Sequence, residues 1–372
     1  MKRDIIKSVV YKSNYKTTID NRIKAAPSTR YQGSKRRILP WLCKNIKDLE
    51  FDTVLDGFGG TGSVSYLFKL MDKQVTFNDI LLSNYQTGIA FIENDSVKLN
   101  QSDIGFLLHE NAFQYPSFIQ DTFKDIYYFD LENKWLDMVV FNIKKLSTLY
   151  RGKMLRKKQA LGYHALFQAC LSKRPFNLFH RKNLYLRKAN VDRSFGNKKT
   201  WETEFSTLFI KFAQETSSKV FSNGMENKAI CQDVMKIKNR NFGLIYLDPP
   251  YTRPNDKHPK DYYSLYHFLE GLADYENWEY RIDMSPKNRC LIKKQTEWEK
   301  NSLLNNFETI FREFQDSIIV ISYGNPGNPR IKELKDLLSQ FKSKVSIFKK
   351  EYSYKLNRKN GKDMYEVLIV GR

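Results

Sequence analysis

Two short segments hold residue types that could do chemistry. Asp248-Pro249-Pro250-Tyr251 follows an apolar run from Phe242 to Leu247. Two consecutive prolines donate no backbone hydrogen bond and fix φ, so the turn is rigid and its carbonyls stay free to accept. An acceptor-only carboxylate, a proline carbonyl and a phenol ring are thereby held together. That suits a planar base with an exocyclic amine, whose two hydrogens go to the carboxylate and the carbonyl while its ring stacks on the tyrosine. The second segment, Phe58-Gly59-Gly60-Thr61-Gly62, comes just after the run Phe51 to Leu55 and Asp56. Glycines let the backbone approach a ligand closely, and a helix opening there offers free N–H groups. The spacing is not G-x-G-x-x-G and no G-K-[ST] follows, which disfavours a dinucleotide fingerprint and a P-loop. Asp79 lies at close to the ~20-residue offset at which a carboxylate meets ribose hydroxyls, a position that also suits a helix cap.

These segments need a scaffold, and the apolar pattern supplies one. Residues 51–55 read as a buried strand, Ser63 to Met71 as a helix and Gln74 to Phe77 as a second strand, making a βαβ unit. A helix is also expected from Ser34, with Ile38, Leu39, Leu42 and Ile46 at helical spacing and Pro40 in its first turns. The α/β pattern resumes with residues 242–247, the strand Ser317 to Ser322 and the helix Ile331 to Phe341. Two closing β runs, Val345 to Phe348 and Tyr365 to Val370, are separated by the turn-former Asn360-Gly361 and predict a hairpin. Residues 91–225 break this pattern. They carry helical stretches, Leu136 to Leu149 and Gln159 to Leu171, and a crowd of basic residues, and they read as an inserted domain. The expected division is a basic N-terminal arm over 1–28, a catalytic domain over 29–90 and 226–372, and the insertion over 91–225.

Composition narrows the partner. The 372 residues hold 62 Lys and Arg against 41 Asp and Glu, a net charge of +21, which favours a long polyanion such as nucleic acid. At 41% apolar the chain can bury a core and is not disordered throughout, and 14% aromatic residues provide flat partners for bases. Cys43, Cys170, Cys231 and Cys290 are far apart and form no CxxC pair, and none of the five histidines sits in H-x-x-x-H. Neither a disulfide framework nor a metal centre is expected. No secretory signal and no run long enough to span a bilayer is seen, so a cytoplasmic protein is expected.

Taken together, the motifs resemble the amino methyltransferases, most closely the Dam-like D12 class of DNA N6-adenine methyltransferases. The resemblance covers Thr29 to Arg372. Tyr31-Gln32-Gly33-Ser34-Lys35 is similar to the block that contacts the methionine part of S-adenosylmethionine, which assigns Tyr31, Gly33 and Lys35 to the cofactor. Asp56, Phe58, Gly60 and Gly62 resemble the D-x-F-x-G-x-G cofactor loop, with Gly57 where proline is usual. Asn78-Asp79 corresponds to the ribose position, and Cys231-Gln232-Asp233-Val234 to the segment whose Asp233 holds the cofactor adenine. Asp248, Pro249, Pro250 and Tyr251 match the catalytic D-P-P-Y, with Asp248 also beside the cofactor. Ser322-Tyr323-Gly324-Asn325 resembles the block beside the target-base pocket. The implied fold is a three-layer Rossmann-like α/β fold with a mostly parallel sheet, an antiparallel C-terminal strand and a helical target-recognition insertion. The implied activity is methyl transfer from S-adenosyl-L-methionine to N6 of a flipped adenine in double-stranded DNA, by a monomer that uses no metal. A separate restriction endonuclease would be its genetic partner. Lys173, Arg174, Asn177, Arg181 and Lys182 mix cations and amides in the way that phosphates and base edges require, and are expected at the DNA. N4-cytosine methylation, RNA adenine methylation and a non-catalytic DNA-binding module remain alternatives at this level.

Overall fold

The computed structural model describes residues 21–23, 26–27, 29–189, 198–238, 241–252, 261–293, 295–351 and 365–372. Most of the expected N-terminal arm, and the Asn360-Gly361 turn, lie outside the described residues. Seven strands form one sheet: β1 (Thr53–Asp56), β2 (Gln74–Asn78), β3 (Lys228–Ile230), β4 (Leu244–Leu247), β5 (Ile318–Asn325), β6 (Val345–Glu351) and β7 (Tyr365–Gly371). Their order is β3-β2-β1-β4-β5-β7-β6. The pairs from β3 through β5 are parallel, whereas β7 runs antiparallel to both β5 and β6.

The middles of the inner strands are runs of buried apolar residues, as in Leu244–Leu247 and 319–321, because both faces of the sheet are covered. Alternation with period two sorts them. Val54, Val75, Phe77, Tyr246, Val320 and Leu368 join one core with the helices Leu39–Ile46 and Ser63–Leu70. Leu55, Ile245, Ile319, Ile321, Val367 and Ile369 join the other with the helices Leu303–Glu313 and Ile331–Leu338. This is the expected three-layer α/β arrangement. β3, which sequence patterning did not reveal, has only three residues and extends the parallel edge beside β2.

Residues 91–225 form helices and no strand among the described residues, chiefly Gln101–Leu108, Asp130–Lys145, Gly152–Ser172 and Phe205–Ser218. Their apolar side chains are continuous with the core on the first face, so this segment packs onto the sheet layer. Lys69, on the helix after the glycine loop, is fully buried. Its ammonium donates to the carbonyls of Phe91, Ile92 and Asn94 at 3.0, 2.9 and 2.7 Å, where the chain enters the helical segment. Burial lowers its pKa to about 7.

Candidate active site

The carboxyl ends of β1, β2, β4 and β5 open into a cleft of about 1570 Å³. Such a crevice is expected where strand order reverses, here between β1 and β4. Single-ligand pockets measure roughly 300–1,000 Å³, so the cleft has room for two molecules side by side.

The glycine loop forms one wall. Gly57 N–H donates to Tyr246 O at 2.9 Å and Gly59 N–H to Asn78 O at 2.7 Å, tying the loop to β4 and β2. Gly59 lies against the Phe77 ring, where a Cβ would come within 2.1 Å, and Gly60 and Gly62 hold left-handed φ of +50° and +71°. Asp79 clamps the loop, since its Oδ2 accepts from Gly60 N–H and its Oδ1 from Leu81 N–H, both at 2.8 Å. Asp79 lines the cleft, but it is not the cap of the helix Leu82–Gly88, whose first N–H groups at Leu82 and Ser83 are taken by Glu270. Gly62, by contrast, opens the helix Ser63–Leu70 and does not line the cleft. Asp56 is buried at the end of β1. Its Oδ2 accepts from Ser65 Oγ at 2.6 Å, while Oδ1 has no hydrogen-bond partner among the described residues. Burial, with help from the Asp248 and Asp79 charges, raises its pKa to about 7.

The opposite wall carries Asp248, Pro249, Pro250 and Tyr251 directly after β4. Lys35 Nζ lies 3.0 Å from Asp248 Oδ1 and 2.9 Å from Glu366 Oε1, and Ser322 Oγ donates to the same Glu366 oxygen at 2.8 Å. Burial and the Glu366 charge push the Asp248 pKa up to about 6, against the pull of Lys35. Burial disfavours the charge on Lys35, but its two carboxylates more than offset this and hold its pKa well above the usual value. Tyr251 packs at 4.4 Å between ring centroids on the buried Tyr323. Gly324 makes the room, because a Cβ there would meet the Tyr251 hydroxyl at 2.0 Å.

Tyr31 stacks on Tyr266 and Tyr262, at 4.0 and 5.7 Å between centroids. Gly33 turns with φ +88° against the Tyr262 hydroxyl. Phe58 meets Trp298 edge-on at 4.9 Å. Asp233 accepts from Met235 N–H at 3.0 Å, Glu297 N–H at 2.6 Å and Trp298 N–H at 3.3 Å, so this cleft residue also staples two turns together.

Residues 31–322 match the family of D12 class N6 adenine-specific DNA methyltransferases. The chain belongs to that family. Over 350 residues this methyltransferase is 28% identical to the type II methyltransferase M2.HphI of Haemophilus parahaemolyticus, covering 92% of this chain and 96% of the relative. It is 23% identical to the type II methyltransferase M.NlaIII of Neisseria lactamica, over 87% of this chain and 91% of that protein. The modification methylase LlaI of Lactococcus lactis subsp. lactis is 24% identical over 91% of this chain, which spans 54% of that relative. The alternatives of N4-cytosine and of RNA give way to adenine in DNA, and the non-catalytic alternative gives way to an enzyme.

The residues expected at the DNA divide. Arg181 and Lys182 are exposed and Asn177 is half-buried. Lys173 and Arg174 are buried, so the expectation for these two is corrected. Lys173 pairs with Glu132 at 2.8 Å and donates to Thr203 O at 2.6 Å. The Arg174 guanidinium donates to Leu178 O and Arg181 O at 3.1 and 3.0 Å and lies 4.4 Å from the Tyr127 ring. Much of the basic crowd is neutralised in the same way, with Arg187 held by both Glu132 oxygens at 2.7 Å and Lys157 by Asp95 at 2.8 Å.

Sequence reasoning missed Glu366 and Glu270. Glu366 is the lone acid in an otherwise apolar strand, a signal that could have found it. Glu270 accepts from Leu82 N–H, Ser83 N–H and Ser83 Oγ at 2.6–2.9 Å, and no local pattern marks it. Among the described residues no His, Cys, Asp and Glu cluster could hold a metal ion, and no helix is long and apolar enough to cross a membrane.

Proposed function

We propose that the cleft binds S-adenosyl-L-methionine and an adenine turned out of duplex DNA, and that methyl passes directly from one to the other's N6. The observation that carries the reading is a concentration of desolvated carboxylates. Asp56, Asp79 and Asp248 all line one cleft, and burial raises the pKa of each. A cationic ligand would relieve that cost, and the partnerless Asp56 Oδ1 is a buried acceptor waiting for a donor. S-adenosylmethionine is such a cation, and when bound it supplies an electrophilic methyl on a sulfonium centre. Tyr31, Gly33, the glycine loop and Asp79 would hold it, with Phe58 and Asp233 at the cofactor's adenine.

Asp248 and the Pro249 carbonyl accept the hydrogens of the target amine, which localises its lone pair and raises its nucleophilicity. Lys35 engages Asp248 Oδ1 and leaves Oδ2 for the amine. Tyr251 offers a face on which the base stacks. Rate then comes from alignment and preorganised charge. The relatives named as type II and modification methylases favour a role as the protective member of a restriction–modification pair. Incubation with labelled S-adenosylmethionine and unmodified duplex, followed by nucleoside analysis, tests the reading. Label in N6-methyladenine is expected. Label in cytosine, or none with any unmodified duplex, would overturn it.

A further inference from the structure

A second, shallower depression of about 600 Å³ lies outside the cleft, and none of its lining residues is shared with it. Lys124, Lys182, Lys287 and Arg289 converge on it from three separate segments of the chain. The nearby carboxylates are few: Asp125 is paired with Lys188 at 2.7 Å, and Asp283 accepts from Ser285 N–H at 2.9 Å. Lys124, Lys182 and Lys287 are exposed and have no ion pair among the described residues.

Buried groups fix the three segments relative to one another. The Tyr127 hydroxyl lies 2.7 Å from Phe179 O, 2.8 Å from Asn288 O and 2.7 Å from His267 Nε2, so it joins all three. Arg174 holds the loop that ends in Arg181, and the Arg289 guanidinium donates to Thr122 O. Burial leaves His267 neutral, with its pKa lowered to about 3, so the positive charge of the depression comes from its lysines and arginine alone. Residues 282–291 form a small antiparallel hairpin, closed by the Ile282–Leu291 bridge and by Asp283 N–H to Cys290 O at 2.8 Å. Arg281 and Lys293, at the two feet of that hairpin, line the cleft. Its tip carries Ser285, Lys287 and Arg289 into the depression. One hairpin thus runs from the cleft rim, where Arg281 is paired with Asp274 and Lys293 with Glu299 at 2.6 Å, to the second site, where Lys287 has no ion pair among the described residues.

We propose that this depression is a seat for the sugar-phosphate backbone of duplex DNA flanking the target base. The inference rests on the reading above only in taking DNA as the substrate. The chemistry is that of a phosphate seat: several cations from a preorganised frame, with Asp125 turned to Lys188 and Asp283 taken up by the hydroxyl and N–H of Ser285. Such contacts fix register on the duplex without selecting sequence.

The test is the triple variant K124Q/K182Q/K287Q in the full-length protein, with Arg289 kept because it also caps the Thr122 carbonyl. Duplex affinity is measured against salt, for methylated-sequence and unrelated DNA, beside turnover at saturating DNA. The slope of log K against log salt should flatten by about 2–3 units, at about 0.9 per phosphate contact. Affinity should fall at least ~10-fold on both duplexes in ~0.1 M salt, while cofactor affinity and saturated turnover hold. An unchanged slope, or a loss confined to the methylated sequence, would overturn the seat. If wild-type protein binds duplex with steep salt dependence but methylates no adenine, the proposed function fails and the seat does not. If wild-type methylates adenine and the triple variant keeps its slope, the seat alone fails.

Discussion

Glu366→Gln should move the acid limb of the pH–rate profile downward. Asp248 and Glu366 sit on one ammonium at 3.0 and 2.9 Å, so their carboxylate oxygens are about 6 Å apart or closer. At an effective dielectric of about 20, two unit charges at that distance interact by roughly 3 kcal/mol, or about 2 pH units. The Glu366 charge therefore supplies a large share of the rise that takes Asp248 to about 6, after burial itself. In the proposed mechanism Asp248 must be ionised to accept a hydrogen from the target amine, so activity should rise as pH climbs through its pKa. Removing the Glu366 charge favours ionisation, and Lys35 is left to Asp248 alone. The half-maximal point on the acid side should fall by about one to two units, toward pH 4 to 5. Single-turnover rates from pH 4.5 to 8.5, with cofactor affinity followed across the same range, give the measurement. A lower plateau with an unmoved limb would make Glu366 a merely structural residue, and an upward shift would refute the electrostatic argument outright.

Other perturbations have equally definite outcomes. Asp248→Ala should cost at least ~10²-fold in transfer while cofactor affinity persists, as single-turnover and calorimetric measurements would show; near-normal turnover sinks the proposed mechanism. Gly324→Ala should displace Tyr251, since the new methyl would meet its hydroxyl at 2.0 Å, lowering the transfer rate about 10-fold or more with cofactor affinity intact; an unaltered rate would show that the ring is not needed where it stands. Lys69→Met leaves three buried carbonyls without their donor and should destabilise the fold by about 2–4 kcal/mol in denaturant titration. Arg174→Ala should lower stability by about 3–5 kcal/mol, and sequence preference should survive where the protein is folded; a changed preference at full stability would return Arg174 to the DNA.

What the sequence disclosed and what it hid have physical reasons. Residues 242–247 and 317–322 were legible as strands because both faces are buried, which forces a continuous apolar run that needs no knowledge of the partner. The D-P-P-Y turn was legible because proline states its own backbone geometry. Lys173 and Arg174 were read as lying at the DNA because a cation's surroundings depend on groups far away in sequence, here Glu132 for the lysine and the Tyr127 ring for the arginine. Lys35 and Glu366 show the same limit. Glu366 stands out as the one acid of its strand, but nothing in either segment shows that it meets Lys35; the sheet creates that meeting, with Glu366 opposite Gly324 in the β5–β7 register.

That register has a temporal side. β7 leaves the ribosome after the other six strands of the sheet, yet its place is internal, between β5 and β6. Until residues 365–371 emerge, β5 has an unpaired edge and Lys35 lacks one of its two counter-charges. A chain cut short before Tyr365 would lack Glu366, one of the two carboxylates on Lys35, and the strand that joins β5 to β6.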